Sequence, residues 1–195
     1  MRDVRKATPA DVPSLAGALS RAFDDDPVME WLFPDPRRRP RWTRTFFEVR
    51  LRQLLRQDEV WATGEGSGAA LWAQPDRWRL TAGETARLLT RIAFGVGRRT
   101  PRGLRGLSLI EEHHPREPHW YLAVLGVDPP AQGDGLGSAL LAPVLRSCDE
   151  DGVAAFLESS KERNIAFYAR HGFRVTEEVR MPKGPPVWLM WRDPR

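Results

Sequence analysis

The sequence predicts an α/β domain with a mixed sheet and helices on its faces, and three observations lead there. Strand-like and helix-like segments alternate along the chain, and several neighbouring strands are joined by short turns that suit hairpins. The stretch Trp120 to Ser138 runs as strand, glycine turn and helix start without a break. At 195 residues and 41% hydrophobic, the chain is long enough for one domain with its own core. No internal repeat or linker splits it, so residues 1–195 are expected to form one domain.

The elements follow in order. Val4-Arg5-Lys6 is a short first strand. Thr8-Pro9-Ala10-Asp11 opens a helix, with Thr as N-cap, Pro at the first position and an acid at the third. Val12, Leu15, Ala16, Leu19 and Phe23 follow at helical spacing until Asp24-Asp25-Asp26-Pro27 stops the helix. Trp31 to Pro34 is expected as an aromatic loop, and Arg37 to Gln57 as a second helix. Asp58–Thr63 and Ala69–Ala73 are two strands joined by a Gly-rich hairpin turn. Thr81 to Phe94 and Pro101 to Glu112 are helices, and a Pro-stiffened loop from His113 to Pro118 feeds the strand Trp120 to Val127. After Gly137, residues Leu140, Leu141, Val144, Leu145 and Cys148 form one helical face, with Pro143 expected to kink the helix. Val153–Ser159 is a buried strand. Arg163–Arg170 is a short helix closed by His171-Gly172, and Phe173–Val179 and Val187–Trp191 are the last strands.

Composition narrows the function classes. No apolar run approaches the ~20 residues of a membrane span, and the first residues carry no apolar signal-peptide core. Cys148 is the only cysteine, which rules out an intrachain disulfide and a cysteine-cluster metal site. A cytoplasmic protein with no membrane partner is the simplest expectation. The net charge of +4 raises nucleic-acid binding. Yet the basic residues are nearly all Arg, with Lys only at 6, 161 and 183, and they are spread over helical segments, so solvated helix faces explain them better.

The glycine turn carries the chemistry. Glycines let backbone approach a ligand closely, and the first N–H groups of a helix have no partner, so strand, turn and helix start form a natural phosphate cradle. Gln132-Gly133-Asp134-Gly135-Leu136-Gly137-Ser138 lacks the Lys of a Walker loop. It half-fits a dinucleotide fingerprint: Gly133 and Gly135 match, Ser138 stands at the third glycine, and Glu158 lies near the place of a ribose-binding acid. Five residues, Asp128 to Gln132, separate strand from first glycine, which counts against that reading. A dinucleotide-binding oxidoreductase remains the alternative. The third pattern, Q-x-x-G-x-G, is met by Gln132, Gly135 and Gly137, and is followed by Asn164-Ile-Ala-Phe-Tyr168 and Gly172-Phe173.

With that company the chain resembles the GNAT superfamily of acetyl-CoA-dependent N-acetyltransferases. Within it, the runs His113 to Trp120, Gln132 to Ser138, Phe156 to Ser160 and Arg163 to Tyr168 are similar to the puromycin-acetylating type. The likeness is looser over Val4 to Leu55 and faint between Thr81 and Ile110.

The resemblance implies a GNAT fold, with a mostly antiparallel sheet splayed after its fourth strand. It implies acetyl-CoA as cofactor, with its pyrophosphate on Gln132, Gly133, Gly135, Leu136, Gly137 and Ser138. The pantetheine arm would bond backbone at Leu125 and Val127, and Asn164 would reach the same arm or serve as a plain N-cap. Asp134 stands where the family often has a basic residue, and would repel a pyrophosphate unless turned to solvent.

Acetyl transfer to an amine needs the amine deprotonated, the oxyanion stabilised and the leaving thiolate protonated. By resemblance Glu158 is the general base; the alternatives are that it only holds the amine by charge or caps backbone. Tyr168 is by resemblance the proton donor to sulfur, with a core tyrosine as the alternative. Phe23, Trp31, Phe33, Trp72 and Trp120 are candidates to line the acceptor pocket, with Asp24 to Asp26 attracting a cation. His113, His114 and His119 raise a metal site, but their spacing and the prolines among them give poor ligand geometry, and no metal is expected. Homodimers are common in the family; no interface is legible here.

Overall fold

A computed structural model describes residues 3–195; Met1 and Arg2 of the expected domain lie outside the described residues. Seven strands form one sheet in the order β1-β2-β3-β4-β5-β7-β6. They are β1 (Val4–Lys6), β2 (Val60–Thr63), β3 (Gly68–Ala73), β4 (His119–Val127), β5 (Ala154–Ser159), β6 (Arg174–Arg180) and β7 (Pro186–Arg192). Only β4 and β5 pair in parallel; every other neighbour is antiparallel. The helices are α1 (Val12–Ala22), α2 (Pro27–Leu32), α3 (Arg39–Leu54), α4 (Ala82–Val96), α5 (Thr100–His113), α6 (Leu136–Asp151) and α7 (Ile165–Arg170).

Alternation along the central strands sorts the helices to two faces. From β3, Ala69, Leu71 and Ala73 point to a core shared with α1, α3 and α4, including Leu19, Phe47, Leu51 and Ile92. Ala70 and Trp72 point the other way, to the α6 residues Leu140, Leu141, Val144, Leu145 and Cys148 and to Tyr168 of α7. This is the helical face expected from the sequence, and α6 runs unbroken over Pro143. A smaller cluster under β6 and β7 holds Trp31, Val179, Met181 and Leu189.

One element differs from expectation. Helix α2 was not expected; it takes in Trp31 and Leu32 of the segment read as an aromatic loop, while Phe33 and Pro34 lie beyond it. The reason is its N-cap: Asp26 Oδ1 accepts from the backbone N–H groups of Val28 and Met29, both at 3.0 Å, with Pro27 at the first helical position. An acid-Pro pair that ends α1 therefore also starts α2.

The sheet has one irregularity that matters for function. Leu71 pairs with Val124 and Trp72 with Leu122, which leaves Ala123 as an extra residue in β4. Residues two apart in a strand share a face, yet Leu122 and Val124 lie in opposite cores, as an inserted residue requires. The pairing of β4 with β5 stops at the same point, at Leu122 and Leu157. Beyond this bulge β4 follows β3 and leaves β5, so the sheet splays after its fourth strand.

Candidate active site

The splay opens a cleft of about 540 Å³. Residues 122–127 of β4 form one wall, residues 158–161 at the end of β5 and α7 the other, and the turn at 131–138 closes one end. The Asp128 N–H donates to the Ser67 carbonyl at 2.7 Å, so Asp128 faces β3. With a period of two, Gly126 and Val124 also face β3, while Leu125 and Val127 turn their N–H and C=O groups into the gap. The Val127 carbonyl is already taken: Gln132 Nε2 donates to it at 2.9 Å. Gln132 thus pins the turn to the strand, a different task from meeting a phosphate.

Gly133 and Gly135 hold the turn in left-handed backbone, at φ of 93° and 72°, and Gly135 is the N-cap of α6. The N–H groups of Leu136, Gly137 and Ser138 start that helix facing the cleft. A Cβ on Gly137 would stand 3.2 Å from the Phe167 ring, so its lack of a side chain lets α7 close on α6. Ser138 Oγ lies 2.9 Å from His171 Nε2, a partner the sequence did not suggest. Burial, with Arg170, Arg192 and Arg195 nearby, lowers the His171 pKa and favours the neutral ring. Arg21 of α1 grips Asp128 with two nitrogens, at 2.8 and 2.5 Å, and holds the carboxyl low. Asp134 is exposed and does not line the cleft, while Lys161, Arg163 and Arg170 do.

At the far end stand Glu158 and Tyr168. Tyr168 is 8% exposed and lines the cleft, and its hydroxyl has no hydrogen-bond partner among the described residues. Burial, and the charge of Asp26, raise its pKa, so it stays protonated at neutral pH. Asn164 occupies the N-cap position of α7 but makes no capping bond with its side chain, which leaves its amide free in the cleft.

Glu158 is the centre of a buried polar chain. Tyr121 donates its hydroxyl to Oε2 at 2.6 Å, and burial together with Glu158 pushes the Tyr121 pKa well up, fixing it as donor. Oε1 is buried, has no hydrogen-bond partner, and faces His114 Nδ1 at 3.4 Å. His114 Nε2 is 3.0 Å from His119 Nε2, and His119 Nδ1 is 2.6 Å from the Glu117 carbonyl.

The tautomers follow. A carbonyl only accepts, so His119 Nδ1 carries the hydrogen. Burial lowers the His119 pKa, which leaves its Nε2 a lone pair at neutral pH. His114 Nε2 must then donate to it. The lone pair of His114 Nδ1 is therefore turned toward Glu158 Oε1. Trp78 stacks on His114 at 3.5 Å and covers the chain.

Several expected acceptor residues lie elsewhere. Phe23 lines the cleft, packed on Phe47. Trp31 does not: it is buried in the cluster under β6 and β7, and its Nε1 donates to the Pro182 carbonyl. Trp120 packs toward α6, on the face away from α1. Phe33 and Trp72 are core residues. Asp26 reaches the cleft wall, but its oxygens are spent on the α2 cap and on Ser160. Asp25 pairs with Lys161 and Arg163. The aspartate run thus ties α2 to the end of β5 instead of offering free charge. Tyr121 and Trp78 were missed, and His114 and His119 were weighed only as metal ligands. Tyr121 reaches Glu158 because β4 and β5 pair side by side, which no local spacing announces. Among the described residues no group of three or more His, Cys, Asp or Glu is placed to hold a metal ion. Nor is any helix among them long and apolar enough to cross a membrane.

The comparisons agree with this geometry. The model of the acetyltransferase (GNAT) family matches residues 26–173. An uncharacterized N-acetyltransferase of Schizosaccharomyces pombe is 26% identical over 199 residues, spanning 94% of this chain and 80% of its own length. The structure of histone acetyltransferase HPA2 and related acetyltransferase from Corynebacterium glutamicum is 27% identical. It covers 100% of this chain and 98% of that chain, with a TM-score of 0.74. The PaiA N-acetyltransferase of Thermoplasma acidophilum, in complex with coenzyme A, shares the fold at 11% identity. Its TM-score is 0.60, over 99% of each chain. The dinucleotide oxidoreductase reading of the turn finds no support in these matches.

Proposed function

Since the chain belongs to the GNAT acetyltransferase family and is an N-acetyltransferase, we propose that it moves the acetyl group of acetyl-CoA to a primary amine of a small molecule. Transfer is by direct attack in a ternary complex, within one domain spanning residues 1–195. The observation that carries the reading is the gap between β4 and β5. It presents unpaired backbone at Leu125, opens at one end on the glycine turn, and ends at the other on Glu158 and Tyr168.

The residues present fit CoA. The helix N-terminus at Leu136, Gly137 and Ser138, with the left-handed glycines before it, suits the pyrophosphate. Arg170, which has no ion-pair partner among the described residues, is available to a further phosphate at the cleft mouth. Leu125 extends sheet-like bonding to the pantetheine amides and Asn164 adds a side-chain bond. Val127 contributes its N–H, its carbonyl being held by Gln132.

When bound, acetyl-CoA supplies an activated thioester. The chain supplies the proton traffic. Glu158 accepts a proton from the incoming amine, directly or through water, and His114 Nδ1 stands behind it as the next acceptor. Tyr121 holds the carboxylate in place. Tyr168, protonated and unbonded, gives its proton to the departing sulfur.

The acceptor is read as a puromycin-like antibiotic or a metabolite amine. A panel of primary amines and a lysine peptide, followed by thiol release from acetyl-CoA, tests this. Turnover with small amines and none with the peptide is expected. Activity confined to the peptide overturns the small-molecule reading. Calorimetry showing no CoA binding to folded protein overturns the whole assignment.

A further inference from the structure

A second cavity, of about 240 Å³, lies between α3 and α4 and shares no residue with the cleft. Its lining is strongly basic: five arginines against two glutamates. The outer arginines are ordinary in part. Arg56 reaches Glu84 at 3.4 Å, and Arg52 pairs with Glu48 at 3.2 Å. Arg87 and Arg91, exposed on α4, have no ion pair among the described residues. They stand four apart, so they share one helix face and point to one place.

The floor is the unusual part. Arg50 is 9% exposed, and its guanidinium makes one side-chain hydrogen bond, from Nη1 to Gln53 Oε1 at 2.5 Å. No carboxylate pairs with it among the described residues. A guanidinium carries five N–H donors, so most of this one is unspent. Burying a charge without a partner is costly, and proteins pair such groups with a counter-charge. No carboxylate lies within ion-pair distance of it among the described residues, and Arg50 lines the cavity. Burial lowers the Arg50 pKa, and Tyr121, Glu158 and Glu84 oppose this at longer range, which places the cavity beside the catalytic end of the cleft and outside it.

We propose that this cavity is an anion site, in which Arg50, with Arg87 and Arg91 at the rim, binds a carboxylate or phosphate group of a small molecule. The volume favours an acid group on a short stem over a whole ligand, since drug-sized ligands fill roughly 300–1,000 Å³. The same chemistry has two sources. The group is carried by the acceptor amine, whose other end lies at Glu158, or it belongs to a separate anion. The first source rests on the acetyltransferase reading above; the anion site itself does not.

Inorganic phosphate is the probe. Calorimetry first reads CoA binding, then phosphate binding with CoA saturating, so that the glycine turn is filled. Failure of the first step counts against the acetyltransferase reading alone. Neither Arg50→Gln nor the double variant Arg87→Gln/Arg91→Gln touches the turn, so their comparison with wild type reads the anion site in either case. Phosphate affinity is expected to fall at least about tenfold in each, as for loss of a charge-assisted bond. Without phosphate, Arg50→Gln removes an unpaired buried charge and is expected to keep or raise the melting temperature. Phosphate is then expected to raise that temperature in wild type only. No phosphate binding to wild type, or equal binding in all three proteins, overturns the site. An amine panel separates the sources. If Arg50→Gln raises KM for acid-bearing amines and not for neutral ones, the acceptor carries the group. If KM is unmoved while phosphate binding is lost, the anion is a separate ligand.

Discussion

On the proposed reading, the run from β4 to α7 meets CoA mostly with backbone, while the acceptor side is built from converging side chains. The first region is a run of about fifty residues in which strand, glycine turn, helix and strand each present N–H and C=O groups. The second gathers Arg50, Trp78, Tyr121 and His114 from α3, a loop, β4 and the end of α5. The difference teaches why one half is narrow in what it accepts and the other open to change. Backbone groups are fixed by turn geometry, so a substitution matters only where it alters φ or closes a gap. Side chains that converge from distant segments alter with every one of those segments.

The sharpest way to break this contrast is at Tyr168, a cofactor-side residue that on the proposed reading works through its side chain. Tyr168→Phe keeps the ring in the core beside Phe173 and removes only the hydroxyl. Turnover is expected to fall by about 10²-fold or more, as for loss of a general acid, with CoA affinity unchanged by calorimetry. A parallel loss of CoA affinity would mean that the hydroxyl serves the cofactor arm and not the leaving sulfur.

Glu158→Gln comes next. As base, its loss is expected to lower kcat by roughly 10²-fold. Were it only to hold the amine by charge, KM would rise while kcat stayed, so the split between the two constants assigns the role. The buried chain behind it adds a pH signature. His119 faces His114 and the Glu117 carbonyl, with Glu158 and Asp76 acting at longer range, and burial lowers its pKa. A depressed histidine is neutral in the fold over a range where the unfolded chain binds a proton. Its contribution is therefore present at neutral pH and lost as pH falls below about 6.5. Protonated His119 would turn a second N–H toward His114 and break the chain. An acid limb in kcat is expected in wild type, moved or removed in His119→Gln. An identical limb in both proteins would take the two histidines out of the mechanism.

On the backbone side the expected effects are smaller. Gly135→Ala places a Cβ at φ 72°, a conformation that costs about 1–2 kcal/mol for a residue with a side chain. CoA affinity is expected to fall roughly tenfold while kcat at saturating CoA holds. A change in kcat alone would show that the turn sets the position of the acetyl group as well as its affinity.

The same division explains what the sequence revealed. The α6 face from Leu140 to Cys148 and the turn were legible because each is written in local spacing, while the splay of the sheet came only with the family resemblance. The bulge at Ala123 was not. Nothing in Leu122-Ala123-Val124 marks an extra residue, since its cause is the register with β3. Helix α2 was hidden because Asp26-Pro27 is at once a stop signal and a start signal. The acid chain looked like free charge until its partners Ser160, Lys161 and Arg163 came to meet it from the end of β5.

Trp31 gives the smallest effect and the cleanest test of that lesson. A tryptophan near an acidic run suggests a binding wall, yet here its ring fills the space beside Gly106 and Gly184, and its Nε1 donates to Pro182 at 3.2 Å. Those contacts join α2 and α5 to the loop before β7, and Trp31 does not line the cleft. Trp31→Phe should therefore cost about 1 kcal/mol from the lost hydrogen bond, with a further loss from the smaller ring. It should appear as a lower melting temperature with KM for the amine unchanged. A raised KM with unchanged stability would reverse the argument, because it would mean that α2 moves toward the cleft during turnover and carries Trp31 with it.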